Sequence, residues 1–287
     1  MMMQLQNLSI RTSTKQSILL TTFVNMVVAF VILLIIIPAY FIFRQKNNAI
    51  QTEETPGPSY YELLDTQVPF YHHLDLNRKL SFEKRVRAFL KEVRIEGVGT
   101  VITDLDRVLI ASSAVIPIFG FPEWKYHNLT NVILYPDTFD GEFQFEGENR
   151  NILGMVGSGY MNGQMLLSRA ALTKGFSKNA DTENAAVHEF VHLLDKSDGA
   201  TDGIPENLLA HQYAIPWLHL MHQEMHRIQS GKSDINPYAL TNEAEFFAVA
   251  AEYFFEKPEQ LQHKHPELYQ ELSRIFGQSP ADATNQP

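Results

Sequence analysis

The longest apolar segment of the chain lies in its first fifty residues. From residue 18 to residue 43 there is no charged side chain, and Val, Leu, Ile and Phe dominate these 26 residues. Because roughly 20 apolar residues are enough for a helix to cross a bilayer, the pattern predicts one transmembrane helix at 18–43. The segment is too long for the apolar part of a cleaved signal peptide, and no small-residue cleavage motif follows it.

Polar segments lie on both sides of this apolar run. Residues 1–17 form a polar head with two cationic side chains, and residues 44–58 form a polar linker, also with two, that ends in Pro-Gly-Pro. Because the positive charges on the two sides are equal in number, they leave the orientation in the membrane open. Residues 1–58 are therefore predicted to form a single-pass membrane anchor and a linker to a globular domain.

Globular patterning begins near residue 59 and predicts a mostly helical domain, 59–277, with a small sheet. The predicted helices span 60–76, 81–95, 104–117, 184–197, 206–230 and 242–256, and the predicted strands span 131–135 and 164–168. Ser81 is the expected N-cap of the second helix, and Asp181 or Thr182 that of the fourth, which Gly199 ends. Residues 137–163 are rich in Gly, Asp and Asn and predict loops with short strands, and residues 278–287 a disordered tail.

The net charge and the composition limit which partners the protein can bind and which side chains can bind a metal. The net charge is −10, which argues against nucleic acid as a partner, since phosphate binding needs a basic surface. The chain has no cysteine, so a disulfide framework and a thiolate metal site are both excluded. Any metal must therefore be bound by His, Asp or Glu side chains.

The fourth predicted helix carries an H-E-x-x-H motif at His188, Glu189 and His192. Histidines four residues apart lie on one face of a helix and offer two nitrogen ligands to a single zinc ion. The glutamate beside the first histidine is placed to accept a proton from the attacking water. The motif therefore predicts zinc-dependent hydrolysis, with a third protein ligand still to be found.

Spacing alone leaves that third ligand open. Asp195 shares the face of the two histidines and is either a ligand or a hydrogen-bond acceptor that orients an imidazole. Glu245 and Glu252, seven residues apart, share a face of the last predicted helix, whereas Glu243 points away from it and is expected to be solvated. The other paired or striped histidines are interpreted as surface or incidental residues: His72, His73, His219, His222, His226, His263 and His265.

Residues 60–277 resemble the Mlc titration factor A family of zinc metallopeptidases, and the catalytic end is also similar to anthrax lethal factor. The resemblance is carried by VILYP at 132–136, HEFVHLLD at 188–195 and NPYALTNEAEFFAVAAEYFF at 236–255. It implies that Glu245 is the third zinc ligand, that Glu252 is structural, and that Tyr238 is an active-site tyrosine whose phenol donates to the developing oxyanion.

The resemblance also implies a zincin-like α+β fold in which one strand of the sheet lines the cleft and pairs with extended peptide. Residues 164–168 are the candidate for that strand. Members of the family are soluble, whereas the apolar segment predicts an anchor here, so a role in binding a transcriptional repressor is not transferred. By analogy with the family, the predicted catalytic domain faces the cytoplasm.

The sequence therefore predicts a membrane-anchored zinc metallopeptidase acting on a peptide or protein substrate. His188, His192 and Glu245 would bind Zn²⁺, Glu189 would act as general base, and Tyr238 would stabilise the oxyanion. Endopeptidase and aminopeptidase activity are both compatible with the motif. The alternative is a regulatory binding protein with a structural or vestigial zinc site that sequesters a partner at the membrane.

Overall fold

The computed structural model describes residues 60–146, 150–157, 159–177, 183–208 and 213–283. The predicted polar head, transmembrane helix and linker lie outside these residues. Within the described part of the chain, no helix combines the length and the apolar character that a membrane crossing requires. This finding corrects the location predicted from the sequence, and the single-pass membrane assignment with its cytoplasmic-facing domain is withdrawn.

The described residues form a mostly helical domain with one small mixed sheet, which confirms the predicted α+β class. The helices are α1 (Tyr61–Gln67), α2 (Pro69–His72), α3 (Leu76–Glu92), α4 (Asp104–Ile118), α5 (Arg169–Gly175), α6 (Ala185–Asp195), α7 (Ala214–Gln229), α8 (Glu243–Glu256), α9 (Pro258–Lys264), α10 (Pro266–Phe276) and α11 (Pro280–Ala283). The strands are β1 (Arg94–Gly97), β2 (Asn131–Tyr135), β3 (Gly154–Val156) and β4 (Gln164–Ser168). Single 3₁₀ turns occur at Gly159–Met161, Lys196–Asp198 and Pro237–Leu240.

The first predicted helix is broken in the structure. It ends at Gln67, and Pro69 starts α2, because proline is well suited to the first turn of a helix but not to its interior. The next helix starts at Leu76 rather than after Ser81, since the Asp75 carboxylate caps it by accepting a hydrogen bond from the Arg78 amide at 3.0 Å. The end of the predicted second helix is instead the strand β1.

The sheet has the order β1-β2-β4-β3, with β1, β2 and β4 parallel and β3 antiparallel to β4. The predicted strand at 164–168 is therefore present, but it lies in the interior and both of its edges are already paired. It cannot pair with a substrate, so that expectation was wrong. The free edge on this side of the sheet belongs to β3, a three-residue strand within the predicted loop region.

Helix α6 lies at the centre of the domain, where it packs against α4, α8 and β3. Its apolar side is fully buried, and the Phe190 ring there meets the rings of Phe89 and Tyr126 at centroid distances of 5.8 and 5.2 Å. Helix α8 is buried along nearly its whole length, which explains its continuous run of Ala and aromatic residues. Where the two helices pack together, His188 and His192 of α6 meet Glu245 of α8, and His188 also meets Glu252.

The C-terminal residues pack onto the domain further than the sequence predicted. Gln278 is buried and donates from Nε2 to the Ile116 carbonyl at 2.9 Å, and Ala281 is buried under the Tyr269 hydroxyl, to which its amide donates at 3.1 Å. Residues 278–283, assigned from the sequence to a disordered tail, thus belong to the packed structure. The reason is that a buried amide and a small side chain fill space left by α4 and α10.

Candidate metal centre

Helix α6 places His188 and His192 on its polar side, one turn apart. Its N-cap is Asn184, whose side chain accepts a hydrogen bond from the Val187 amide at 3.2 Å, and not Asp181 or Thr182 as predicted. The two rings meet edge to face, and their Nε2 atoms lie 3.0 Å apart. The four-residue spacing therefore brings both imidazole nitrogens to a single point in space.

Helix α8 brings Glu245 to the same point. Asn242 caps this helix by accepting from the Glu245 amide at 2.9 Å, which fixes the first turn. The Glu245 carboxylate lies 3.0 Å from Nε2 of His188 and 3.4 Å from Nε2 of His192. One ligand atom from each of the three residues lies within 4.8 Å of the others, so the structure brings together the three residues expected to be metal ligands.

These separations fit a metal ion bound by two nitrogens and an oxygen. Tetrahedral ligands at the bond lengths typical of zinc, about 2.0–2.2 Å, lie about 3.3–3.6 Å from one another. The observed distances of 3.0, 3.0 and 3.4 Å are close to that range. Each imidazole can present a lone pair at Nε2 when its proton lies on Nδ1, which is the form that binds a metal ion.

The pKa values reflect the same attraction for positive charge. Burial alone would lower the pKa of His188, but hydrogen bonds to Glu245 and Glu252 outweigh it and raise that pKa to about 10. Burial would raise the pKa of Glu245, but contacts with His188 and His192 lower it below its ordinary value. The cluster therefore favours a positive charge between the histidines and the carboxylate.

Glu252 orients His188 and is not one of the three possible metal ligands. Its Oε1 lies 2.7 Å from Nδ1 of His188, and its Oε2 accepts a hydrogen bond from the Asn184 amide. A carboxylate on Nδ1 holds the ring in the orientation in which Nε2 faces Glu245 and Nε2 of His192, as in many metal sites. Of the two glutamates that spacing left open, Glu245 faces the histidines and Glu252 supports them.

Asp195, the other alternative, points away from the histidine nitrogens. It is fully buried, and its Oδ2 accepts a hydrogen bond from the Gly203 amide at 2.9 Å. Burial raises the pKa of this carboxyl to about 6. Trp217 donates from its indole nitrogen to the Gly203 carbonyl at 2.7 Å, so Asp195 and Trp217 together hold the loop that follows α6.

Glu189, the expected general base, lies beside the cluster and under the edge strand β3. It is buried, and burial raises the pKa of its carboxyl, with neighbouring Glu245 and Glu252 adding to the rise. Gly154 of β3 is in direct contact with it: a Cβ at this position would lie 2.7 Å from Cγ of Glu189. Glycine is thus required for the base to fit here, a role that no sequence pattern indicated.

Tyr238 lies beside His188 and lines the same cleft, in the 3₁₀ turn before α8. Its ring centroid is 6.1 Å from that of His188, and the side chain is 53% exposed. Burial of the hydroxyl and the nearby carboxylates raise the pKa of Tyr238, so the phenol keeps its proton at neutral pH and acts as a donor. Both residues expected to be catalytic therefore lie next to the three possible ligands.

The cluster opens into a cleft of about 380 Å³. The residues that line it are Gly154, Met155, Val156, His188, Glu189, His192, Lys196, Thr201, Tyr238, Asn242, Ala244 and Glu245. The edge strand β3 forms one wall, and its orientation follows from hydrogen bonds to β4: Ser168 donates to Leu153 and Gly157 to Gln164, each at 2.9 Å. Because pairing alternates along an antiparallel strand, the backbone groups of Gly154 and Val156 face the open edge.

A second histidine–carboxylate cluster lies away from the cleft, and we call it the closed cluster: His265, Glu224 and Asp234. Nδ1 of His265 lies 2.9 Å from Glu224, and Nε2 lies 2.9 Å from Asp234. His265 is only 2% exposed, so its interpretation as incidental was wrong. His222, by contrast, is an exposed residue paired with Glu243 at 3.2 Å, as a surface histidine would be.

Two histidines in an H-E-x-x-H helix, a glutamate from a second helix and an open cleft beside an edge strand define a metallopeptidase-like protein. Comparison with known proteins agrees with this class. The chain belongs to the family of glucose-regulated metallo-peptidases M90, whose sequence model matches residues 42–277.

Several relatives align over most of their length. An uncharacterized protein of Synechocystis sp. is 30% identical over 83% of this chain and 90% of its own. Mlc titration factor A of Escherichia fergusonii is 28% identical over 81% of this chain and 91% of its own, and that of Cronobacter sakazakii is 30% identical over 67% and 76%. The predicted family is thereby confirmed.

Proposed function

We propose that this protein is a zinc-dependent, zincin-like peptidase that hydrolyses peptide bonds. The observation that supports it is the convergence of His188, His192 and Glu245 on one point within 4.8 Å, open to a cleft. Catalytic zinc sites have three protein ligands and one open position, whereas structural sites have four protein ligands. Among the described residues, the cluster contains three such ligands and no more.

A bound zinc ion would act as a Lewis acid that activates water and polarises the substrate carbonyl. Glu189 accepts the proton of the attacking water, and burial, which raises the pKa of its carboxyl, makes it a stronger base for that step. It then passes the proton to the leaving amine. Tyr238 donates its phenol hydrogen to the oxygen that becomes negative as the carbonyl carbon turns tetrahedral. Glu252 holds the ring of His188 in place during these steps.

The peptide lies extended against β3 in this proposal. The outward backbone groups of Gly154 and Val156 pair with it, as in other complexes where a peptide adds a strand to a sheet edge. This pairing places the peptide between the edge strand and the histidines, with Glu189 directly under Gly154. The main-chain contacts give affinity, and the lining side chains give selectivity.

Glu189→Gln tests the proposal. The variant keeps the shape of the side chain but cannot accept a proton, so we expect it to bind about one zinc per chain and to lose peptide cleavage by a factor of roughly 10² to 10⁴. Glu243→Gln, which changes an exposed glutamate of α8, is the matched control and should cleave as the wild type does. Wild-type cleavage by Glu189→Gln would refute the mechanism.

A second candidate function is a regulatory binding protein that sequesters a protein partner. It is favoured by the relatives named Mlc titration factor A, a name that describes titration of Mlc by those proteins. In this case the partner would bind equally well to the metal-free protein and to Glu189→Gln. Purified protein that binds a partner with unchanged affinity after chelation, and cleaves no peptide, would favour this function over the first.

A further inference from the structure

Lys196 lies in the cleft on the same side as the histidines. It begins the 3₁₀ turn that follows α6, four residues after His192 and eight after His188. At the rise of an α-helix, four residues place it about 6 Å beyond His192 along the helix axis. Among the described residues that line the cleft it is the only lysine or arginine.

The charge of Lys196 has no carboxylate partner in the described structure. Its ammonium donates to the Gly157 carbonyl at 3.0 Å and to Oδ1 of Asn162 at 3.4 Å, both of which are uncharged. A lysine ammonium has three donors, so one remains for a further acceptor. A half-buried cation with only neutral acceptors is stabilised when a carboxylate joins it.

The direction of β3 shows which part of a bound peptide would meet this cation. The strand runs from Gly154, which contacts Glu189, to Gly157, whose carbonyl Lys196 binds. A peptide that pairs with it in the antiparallel sense, the more stable arrangement, runs the opposite way. Residues on the N-terminal side of the cleaved bond therefore lie towards Gly157, about 10 Å away at the rise of a strand.

We propose that Lys196 binds the carboxylate of an aspartate or glutamate in the peptide substrate, two or three residues before the cleaved bond. The proposal rests on the peptidase function proposed above. It makes the enzyme selective for acidic peptide segments, and the first bond of a peptide, which has no residue two or three positions before it, cannot use this contact. Internal bonds that follow an acidic residue are thus better substrates than the first bond of a peptide.

The test is a cleavage-site profile of the zinc-loaded full chain on a peptide library made by chymotryptic digestion of a bacterial lysate, with new termini identified by mass spectrometry. For the wild type, Asp and Glu should be enriched about two- to fivefold at the second or third position before the cleaved bond, as for a partly exposed ion pair. Lys196→Met should remove the enrichment, and Lys196→Arg should keep it. Lys196→Glu should replace it by enrichment of Lys and Arg.

Lys232→Glu, at an exposed position after α7, controls for a general change in charge and should leave the profile unchanged. A lysine that merely fastens Gly157 would lower the rate in Lys196→Met but could not reverse the charge preference in Lys196→Glu. Equal profiles for wild type and Lys196→Met, or acidic enrichment only after the cleaved bond, would overturn the proposal. A wild type that cleaves nothing in the library would overturn the proposed function, and this proposal with it.

Discussion

The domain contains two buried clusters of histidine and carboxylate that differ in what surrounds them. We call His188, His192 and Glu245 the open cluster. In it, two Nε2 atoms and a carboxylate converge on one point beside a cleft. In the closed cluster, Glu224 and Asp234 lie at the two different nitrogens of the single His265 ring, so these three side chains do not converge on one point.

The two clusters also differ in whether fixed cations neutralise their carboxylates. Glu224 of the closed cluster also accepts from Arg227 at 2.8 Å, and Asp234 accepts from Lys264 and Tyr253, each at 2.7 Å. The carboxylates there are neutralised by fixed cations. In the open cluster Glu245 and Glu252 contact only histidines and a backbone amide, so their charge is available to attract a metal. Convergence and uncompensated charge, rather than residue type, distinguish a metal centre from a structural network.

The largest expected effect comes from removing a ligand of the open cluster. In Glu245→Gln the carboxylate is lost, so zinc affinity should fall by more than the roughly 10- to 100-fold seen for supporting residues, and peptide cleavage should drop to background. Calorimetric zinc titration and a cleavage assay measure the two effects. Glu243→Gln on the same helix is the control. Full zinc binding by Glu245→Gln would contradict the assignment of Glu245 as a metal ligand.

The closed cluster should respond in stability and not in metal binding. His265→Ala leaves Glu224 and Asp234 with fewer partners in a buried site, so we expect the free energy of unfolding to fall by about 3–5 kcal/mol. Urea unfolding measures this loss. Zinc stoichiometry and cleavage per folded molecule should match the wild type, and a loss of bound zinc would show that the two clusters are not independent.

A smaller effect is expected where β3 meets the general base. In Gly154→Ala the new methyl group would lie 2.7 Å from Cγ of Glu189, so the carboxylate has to move. We expect kcat to fall by up to about 100-fold, the effect of misplacing a catalytic group by about 1 Å, while one zinc still binds. Gly141→Ala, at a position where a Cβ meets no atom within 4 Å, is the control. An unchanged kcat in Gly154→Ala would show that the position of Glu189 does not depend on a glycine at residue 154.

Glu252→Gln tests whether Glu252 orients the ligand His188 or is itself a metal ligand. The amide can still contact Nδ1 of His188 but carries no charge, so zinc affinity should fall by about 10- to 100-fold and not be abolished. Competition with a fluorescent zinc chelator measures the change. A loss as large as that of Glu245→Gln would make Glu252 a ligand rather than a support.

The smallest effect concerns pH and the closed cluster. Burial would raise the pKa of Asp234, but hydrogen bonds from Lys264, His265 and Tyr253 lower it below its ordinary 3.8. This carboxylate therefore stabilises the fold above pH 3.8, and its contribution is lost as the pH falls further. Wild type should lose unfolding free energy more steeply below pH 4 than Asp234→Asn, and parallel curves would contradict this.

His265 sets the upper limit of the pH range in which the closed cluster stabilises the fold. Burial would lower its pKa, but hydrogen bonds to Glu224 and Asp234 raise it above 6.5 overall. Its contribution to stability is complete below 6.5 and is lost as the pH rises through the raised value. The closed cluster should therefore stabilise the domain most between about pH 4 and 6.5, and urea unfolding within and above that range measures it.

Local patterns in the sequence predicted the helices of the open cluster well. Helix α6 and helix α8 lie within the predicted segments 184–197 and 242–256, because helical periodicity and caps act over a few residues. The i, i+4 spacing of His188 and His192 fixes their geometry for the same reason. Spacing could not choose between Glu245 and Glu252, because the angle between two helices is set by packing across the whole core.

Features that depend on distant residues were missed. Short strands were predicted within residues 137–163, but the bounds of β3 and its place at the edge of the sheet follow only from its pairing with β4. His265 meets Asp234 across 31 residues of sequence and Glu224 across 41, without any local pattern. Gly154 matters only because Glu189 lies under it. In each case the partner comes from another element, and no short window of sequence contains both.

The central claim is that one metal ion at the open cluster activates peptide hydrolysis, and a zinc titration of metal-free protein tests it most directly. Peptide cleavage is measured after each addition and plotted against zinc bound per chain. The account predicts no cleavage without zinc, a linear rise, and a plateau at one equivalent. Cleavage by the metal-free protein, or none at one bound zinc per chain, would contradict it.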